Sequence, residues 1–398
     1  AAGALQEARR VPGLAGSAGP VEPDWSIVAR RVRDEATDDW DDHVAVERLQ
    51  EQGATFRRGT GRIVAPGRVE VDGTPYAARR AIVVNTGTRP AVPPVPGIDS
   101  VPYWTNREAV EATELPRSLI VLGGGAIGCE LAQVMARFGV EVTLVEGADR
   151  LLPMDEPEAG SALAGVFAGE GITARTGTRA ERVAGDGSGI AVTLGGGESI
   201  RAERLLVATG RRVDVAEVGL DVLGVDPEAR AVDVDGRCRV TEGVWALGDI
   251  TGRGAFTHVS MYQADIVLRD VLGQDGPAAD YRALPRVTFT DPEVGSVGLT
   301  QEQAADQLGR VLVGTASLPE TSRGWIHGAG NEGLIKLVAD GERGVLVGAT
   351  TMGPAGGEMI GALAVAVQAR VPLDTLRSMI WAYPTFSRGV LDALADLG

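Results

Sequence analysis

The chain has 398 residues, which at about 150 residues per domain points to two or three domains. Hydrophobic residues are 44% and charged residues 23% of the total, a globular composition with ample core, so a disordered chain is excluded. The net charge of −16 argues against nucleic-acid backbone binding, and two cysteines exclude a disulfide-stapled scaffold.

The 55 glycines show no collagen-like period and gather at strand ends and turns. His43, His258 and His327 are the only histidines and none has a metal-ligand spacing, so no metal is expected. No uncharged apolar run reaches the roughly 18 residues of a membrane helix. The opening AAGALQEARR has no signal-peptide core, so a soluble, cytoplasmic protein without a membrane partner is expected.

In chain order, Ala1 to Arg10 reads as helix, with Pro12 and Gly13 ending it. Asp24 is placed to cap a helix carrying Trp25, Ile27 and Val28. Asp41 and Asp42 precede a second helix through Leu49, stopped at Gly53. Strands follow at Arg62 to Val64 and Arg68 to Val71, with Asp72-Gly73 as a hairpin turn. Ala81 to Val84 is an apolar run of the kind buried on both faces. The four prolines in RPAVPPVPGI (89–98) make a stiff connector and a domain boundary. Beyond it, Ser118 to Leu122, a helix from Ile127 to Phe138 and Glu141 to Val145 open a βαβ unit. Gly171 to Ile200 reads as a β-meander, and Leu205 to Ala208 as a buried strand. After about residue 281 strands at 286–289, 334–338 and 345–350 mix with helices at 300–307, 355–369 and 387–396, an α+β texture. A weak internal repeat, VVNTGTRP (83–90) and LVATGRRV (206–213), sets two Thr-Gly turns at carboxyl ends of strands, where open α/β sheets bind ligands.

The strongest chemical signal is Gly123-x-Gly125-x-x-Gly128, between a strand and a helix, with Glu146 ending the next strand. Gly123 permits the tight turn, Gly125 lets the backbone approach a pyrophosphate, and Gly128 lets helix and strand pack closely. The helix N-terminus offers N–H groups and a positive dipole to phosphates. Glu146 can accept both ribose hydroxyls and would repel a 2′-phosphate, which favours NADH over NADPH; Arg150 is near enough in sequence to bear on that choice. Cys129, in the first turn of the helix, reads as a small buried residue, with a reactive thiol as the alternative. Cys238 reads as structural, and Trp325 and His327 as part of a turn or edge strand.

The ordered series SLIVLGGGAIGCELA, TLVEGADRLLP, LLVATGRR, VWALGDITG, FTHVSMYQA, VTFTDPEVGSVGL and AGGEMI resembles the class I pyridine nucleotide–disulfide oxidoreductases, in the branch of dihydrolipoamide dehydrogenase and mercuric reductase. The resemblance implies an α/β fold of two Rossmann-like modules, the FAD module incomplete, and a C-terminal α+β dimerisation domain. It implies FAD-binding segments at 1–102 and 226–280, an NAD domain at 103–225 and a homodimer formed through 281–398. Thr86 and Gly87 match the turn that touches FAD, and Asp249, after Gly248, matches the carboxylate at the flavin's ribityl or phosphate region; an N-cap role is the alternative for Asp249. Gly210 and Arg211 match the exit turn of the NAD domain, Glu130 the family glutamate near flavin and nicotinamide, and His258 a packing position at the flavin end of a helix.

The departures shape the functional expectation. Nothing before residue 83 carries the family's first glycine-rich βαβ opening, its C-x4-C pair or the adjacent lysine, so the chain looks like an N-terminal truncation. Lys336 is the only lysine, which leaves Glu130 without the family's lysine partner and, if buried, inclined to its neutral form. In WAYPTFSR, Tyr383 stands at the position of the family's dithiol base and Arg388 at that of its orienting glutamate. A phenol of pKa near 10 cannot serve as a base at neutral pH. Tyr383 can instead donate a hydrogen bond, pack over the flavin or pack at a dimer interface. The resulting expectation is an FAD-dependent oxidoreductase passing hydride from NADH through flavin to a quinone, oxygen or a small oxidised metabolite. A non-catalytic NAD-binding dimer or an inactive fragment is the alternative.

Overall fold

The computed structural model describes residues 2–15 and 21–397. They divide into two compact units, one of Ala1–Ala36, Val92–Thr209 and Arg282–Gly398, the other of Thr37–Ala91 and Gly210–Tyr281.

The first unit contains a Rossmann-like parallel sheet. Strand Ser118–Leu122 lies between Glu141–Val145 and Arg204–Val207, and Thr173–Arg175 adds beyond Glu141–Val145. Leu119 to Leu122 are all buried because the sheet is covered on both faces. On one face Leu119, Val121 and Leu144 pack with Met135 of helix Ala126–Arg137 and with Leu163 and Phe167 of helix Pro157–Gly169. On the other, Ile120, Leu122, Leu205 and Val207 pack with Val183 and Val192 of an antiparallel three-stranded sheet, Ala180–Gly185, Ile190–Leu194 and Ser199–Ala202. Thr173–Arg175 therefore does not belong to the expected meander over 171–200. Helix Pro157–Gly169 is a crossover, and a strand delivered by a crossover helix returns parallel to its neighbour.

The same unit contains the expected α+β segment. Its five-stranded antiparallel sheet runs Pro285–Thr288, Glu293–Gly298, Val345–Gly353, Leu334–Asp340, Val311–Ser317 in spatial order. Helices Gly356–Gln368 and Gly389–Asp396 bury Ile360, Leu363 and Leu394 against Leu337 and Leu346. Two buried ionic clusters tie it to the parallel-sheet segment. Arg137 pairs with Glu170 at 2.6 Å and Asp291 at 2.7 Å. Lys336, 2% exposed, pairs with Glu156 at 2.9 Å and Glu158 at 2.8 Å.

In the second unit, Gly61–Ala65, Arg68–Val71 and Thr74–Ala77 form a small antiparallel sheet, and Asp72 (φ 46°) with Gly73 (φ 80°) makes the expected hairpin turn. A three-stranded sheet places Val244–Ala246 between Arg239–Thr241 and Ile82–Val84, the last pair being parallel. Ile82 and Val84 join Ile63, Val232 and Ala246 in the core, but Val83 is 46% exposed. The expectation of a strand buried on both faces fails there, because core covers only one face.

The helix expectations hold at Asp24, whose side chain accepts the Ser26 N–H at 2.8 Å, and after Asp41 and Asp42, where helix His43–Glu51 begins; its N-cap Asp42 makes no side-chain cap bond, and Asp41 accepts the His43 N–H at 3.0 Å. The first helix runs Ala2–Ala15, through Pro12 and Gly13, because a proline forfeits one backbone bond without necessarily ending a helix; Ala1 lies outside the described residues. Trp325 and His327 lie in helix Ser322–His327, neither turn nor edge strand, capped by the Thr321 hydroxyl on the Gly324 N–H at 3.0 Å.

Candidate cofactor and catalytic sites

The glycine loop of the first unit joins strand Ser118–Leu122 to helix Ala126–Arg137. Gly123 has φ 108° and donates its N–H to the Val145 carbonyl at 2.8 Å. A side chain there would meet the Ala208 carbonyl, and one at Gly128 would collide with the Gly123 carbonyl oxygen. Gly125 is different: a Cβ there meets nothing within 4 Å, and no side chain caps the helix it opens. The turn is thus closed by two glycines and left open to a guest at the third, with unbonded helix N–H groups beside it.

Glu146 stands against this turn. One carboxylate oxygen accepts the Gly124 N–H at 2.5 Å and the other the Ala148 N–H at 2.7 Å. Each oxygen keeps acceptor capacity for a hydroxyl. Arg150 is turned elsewhere, to Asp149 at 3.3 Å and to the Pro153 carbonyl at 3.2 Å.

Cys129 is fully buried and donates its thiol to the Gly124 carbonyl at 3.2 Å. Burial, and then the neighbouring Glu146 and Glu130 carboxylates, push the thiol far above its ordinary range. The reactive alternative for Cys129 is therefore set aside. Cys238, also buried, is likewise pushed up by burial. Glu130, on the same helix as Cys129, accepts the Phe289 N–H at 2.8 Å. Burial raises its carboxyl above the usual range, and the Phe289 bond only partly offsets that. This is the behaviour expected of a carboxyl without a lysine partner.

In the second unit the repeat's Thr-Gly turns meet. Strands Arg89–Pro90 and Arg211–Arg212 pair antiparallel directly after them. Gly87 (φ 67°) and Gly210 (φ 123°) adopt conformations that favour glycine, and both face open space. Gly248-Asp249 begins a short 3₁₀ turn after strand Val244–Ala246. The Thr88 hydroxyl donates to Asp249 Oδ2 at 3.2 Å, and the Arg211 guanidinium donates to Thr88 and lies 3.7 Å from the same carboxylate oxygen. The turns bearing Thr86, Gly87, Gly210 and Asp249 are thereby linked through Thr88 and Arg211. Asp249 lies inside its turn, whose N-cap is Leu247, so the capping alternative is not realised. Sequence reading missed Thr88, although its place between Gly87 and Arg89 in the repeat was the available signal.

Tyr383 is 70% exposed, and its hydroxyl donates to Ser322 Oγ at 3.0 Å. Arg388 pairs with Asp392 at 3.3 Å. The His258 ring stacks on Phe256 with centroids 5.1 Å apart. Among the described residues no group of three His, Cys, Asp or Glu is placed to hold a metal ion, and no helix is long and apolar enough to cross a membrane.

Comparison with known proteins agrees with this architecture. Residues 14–264 match the pyridine nucleotide-disulphide oxidoreductase family, and residues 284–394 match its dimerisation domain. A mercuric reductase of Streptomyces lividans is 35% identical over 342 residues, 85% of this chain and 71% of the relative. A dihydrolipoyl dehydrogenase of Chlorobaculum tepidum is 35% identical over 322 residues, 79% of this chain and 68% of the relative. A mercuric reductase of Bacillus cereus is 31% identical over 87% of this chain, which spans 55% of that relative. Among solved structures, LpdA from Mycobacterium tuberculosis superposes with a TM-score of 0.84 at 26% identity, covering 99% of this chain and 87% of that one. The HOCl-induced flavoprotein disulfide reductase RclA from Escherichia coli gives 0.83 at 26%, with the same coverage. Carrying the parallel sheet, the α+β segment and both sequence matches, the chain belongs to the pyridine nucleotide-disulphide oxidoreductase family.

Proposed function

We propose that this chain is a flavin-dependent NADH oxidoreductase whose electron acceptor is a quinone, oxygen or a small oxidised metabolite. The observation that carries the reading is the Gly123–Gly128 turn, closed at Gly123 and Gly128 and open at Gly125, with the Glu146 carboxylate fixed beside it. These residues fit a dinucleotide: Gly125 and the helix N–H groups for the pyrophosphate, Glu146 for the ribose hydroxyls. Thr86, Gly87, Gly210 and Asp249 fit the polar part of FAD, since open space at both glycines lies beside a carboxylate held by Thr88 and Arg211. When bound, the two cofactors supply hydride transfer. On this reading 103–225 is the NAD domain, 1–102 and 226–280 bind FAD, and 281–398 forms a homodimer. Exposed Trp325, Val365, Met379 and Ile380, all within the dimerisation match, support that last assignment.

The chain's own residues then have distinct tasks. Glu146 selects NADH over NADPH by accepting hydroxyls and repelling a 2′-phosphate. Glu130, with Oε1 occupied by the Phe289 N–H, holds its proton on Oε2 to a higher pH than an exposed glutamate. Tyr383 donates hydrogen bonds and does not act as a dithiol base, which disfavours a lipoyl substrate.

The test is the visible spectrum of the purified chain followed by NADH titration. Flavin absorbance that NADH bleaches is the expected result. A colourless chain that binds NADH would leave the non-catalytic alternative, and absence of NADH binding would overturn the reading. Glu146→Ala should weaken NADH binding by roughly tenfold, the loss of a bidentate hydroxyl contact, and shrink the preference over NADPH. An unchanged ratio would remove Glu146 from ribose recognition.

A further inference from the structure

A cavity of about 90 Å³ in the first unit is lined by Ser322, Arg323, Tyr383, Thr385, Arg388 and Asp392, among others. In a chain of net charge −16, this wall carries two guanidinium groups against one carboxylate. The carboxylate is Asp392, and it is already taken by Arg388 at 3.3 Å. The Arg323 guanidinium carbon lies over the Phe386 ring, 5.3 Å from its centroid, and among the described residues no carboxylate lies within ion-pair distance of Arg323. Tyr383 and Ser322 share one hydrogen bond of 3.0 Å, so one of their two hydroxyl protons is left to donate to a guest. The Thr385 hydroxyl instead serves the backbone, donating to Ala382 O and accepting the Arg388 N–H.

We propose that this cavity binds a small oxyanion, a carboxylate or a phosphate group, through Arg323 and the Ser322–Tyr383 hydroxyl pair. A planar guanidinium offers paired N–H donors matched to two oxygens of such a group, and the hydroxyl supplies a third donor. Arg388 adds positive potential while keeping Asp392 neutralised. The volume admits the head group of a ligand and not a nucleotide, so this site is separate from the glycine loop. Tyr383 and Arg388 stand at the positions matched to the family's base and its orienting glutamate, so the proposal deepens the oxidoreductase reading and rests on it.

The test is calorimetric titration of the full chain with inorganic phosphate and with acetate, at ionic strength fixed with sodium chloride. Saturable binding of either anion is expected, weakened at least tenfold in Arg323→Gln and at least threefold in Ser322→Ala. Tighter phosphate assigns the site to phosphoryl groups, and tighter acetate to carboxylates. Ser322→Ala breaks no ion pair, so it remains informative if Arg323→Gln folds poorly. Heats no larger than the chloride control, or affinities that both variants retain, would overturn the proposal. Phosphate bound only at the glycine loop would give the second of those results.

Discussion

Two stretches with one sequence pattern, VVNTGTRP at 83–90 and LVATGRRV at 206–213, end in opposite degrees of burial. Strand Arg204–Val207 stands at the end of its sheet, yet Leu205, Leu206 and Val207 are all buried. Trp104 seals that edge, donating to the Leu205 carbonyl at 2.7 Å and accepting the Val207 N–H at 2.8 Å. Strand Ile82–Val84 pairs only with Val244–Ala246 among the described residues, and Val83 is half exposed. An apolar run therefore dictates a strand, while what covers it is settled elsewhere in the chain. The contrast extends to charge. The first unit buries Lys336 with Glu156, whereas the Arg89–Glu217 pair of the second unit is exposed.

The largest effect should come from that buried pair. Lys336→Met strands the Glu156 carboxylate in the interior and should cost about 3–5 kcal/mol in denaturant unfolding, with Arg89→Gln leaving the midpoint unmoved. Equal, small shifts in both would erase the contrast in charge. Next comes the paired strands themselves. Leu206→Ala should cost about 2–5 kcal/mol and Val83→Ala less than about 0.5 kcal/mol, read by the same method. A comparable loss at Val83 would mean that its strand is better covered than its exposure indicates.

Within the glycine loop the contrast narrows to two residues three positions apart. Gly128→Ala, forced onto the Gly123 carbonyl, should destabilise by up to about 3 kcal/mol. Gly125→Ala, facing open space, should cost about 1 kcal/mol or less, the usual difference at an N-cap, while weakening NADH binding. Thermal unfolding and NADH titration of both variants separate the structural glycine from the ligand-facing one.

The smallest effect concerns Glu130. Its carboxyl titrates higher in the folded chain than in the unfolded one, so between those two values the folded state binds more protons. Stability must then fall as pH rises through that window, the burial penalty being absent below the unfolded pKa and complete above the folded one. Glu130→Gln keeps an acceptor for Phe289 N–H and should raise Tm by on the order of 1–3 °C near neutral pH, with no gain at pH 3. A gain that is the same at both pH values would rule out titration of Glu130 as its source.

The glycine loop was legible because each of its residues is dictated locally. Gly123 needs a positive φ, Gly128 admits no Cβ, and an acidic residue closes the following strand. The Asp24 helix cap and the Asp41 bond to the His43 N–H are equally local, each a side-chain oxygen two residues from its N–H. The α+β texture after residue 281 was visible, but strand Glu293–Gly298 was not, because in EVGSVG two glycines and a serine dilute the strand signal of Val294 and Val297, and the strand is held by pairing on both sides. Thr173–Arg175 was visible as a strand and assigned to the wrong sheet, since sheet membership depends on the path of the preceding crossover helix.

Sequence alone thus determined most element types, the family and the glycine turn, all of which rest on φ preference, volume and periodicity within a few residues. Tertiary structure decided what depends on residues far apart in the chain. It gave Cys129 its buried, bonded thiol, Asp249 its Thr88 and Arg211 partners, and Lys336 its two carboxylates. Hydrogen-bond and ion-pair energies fall steeply over a few ångströms, and no spacing along the chain records which distant groups the fold brings within that reach.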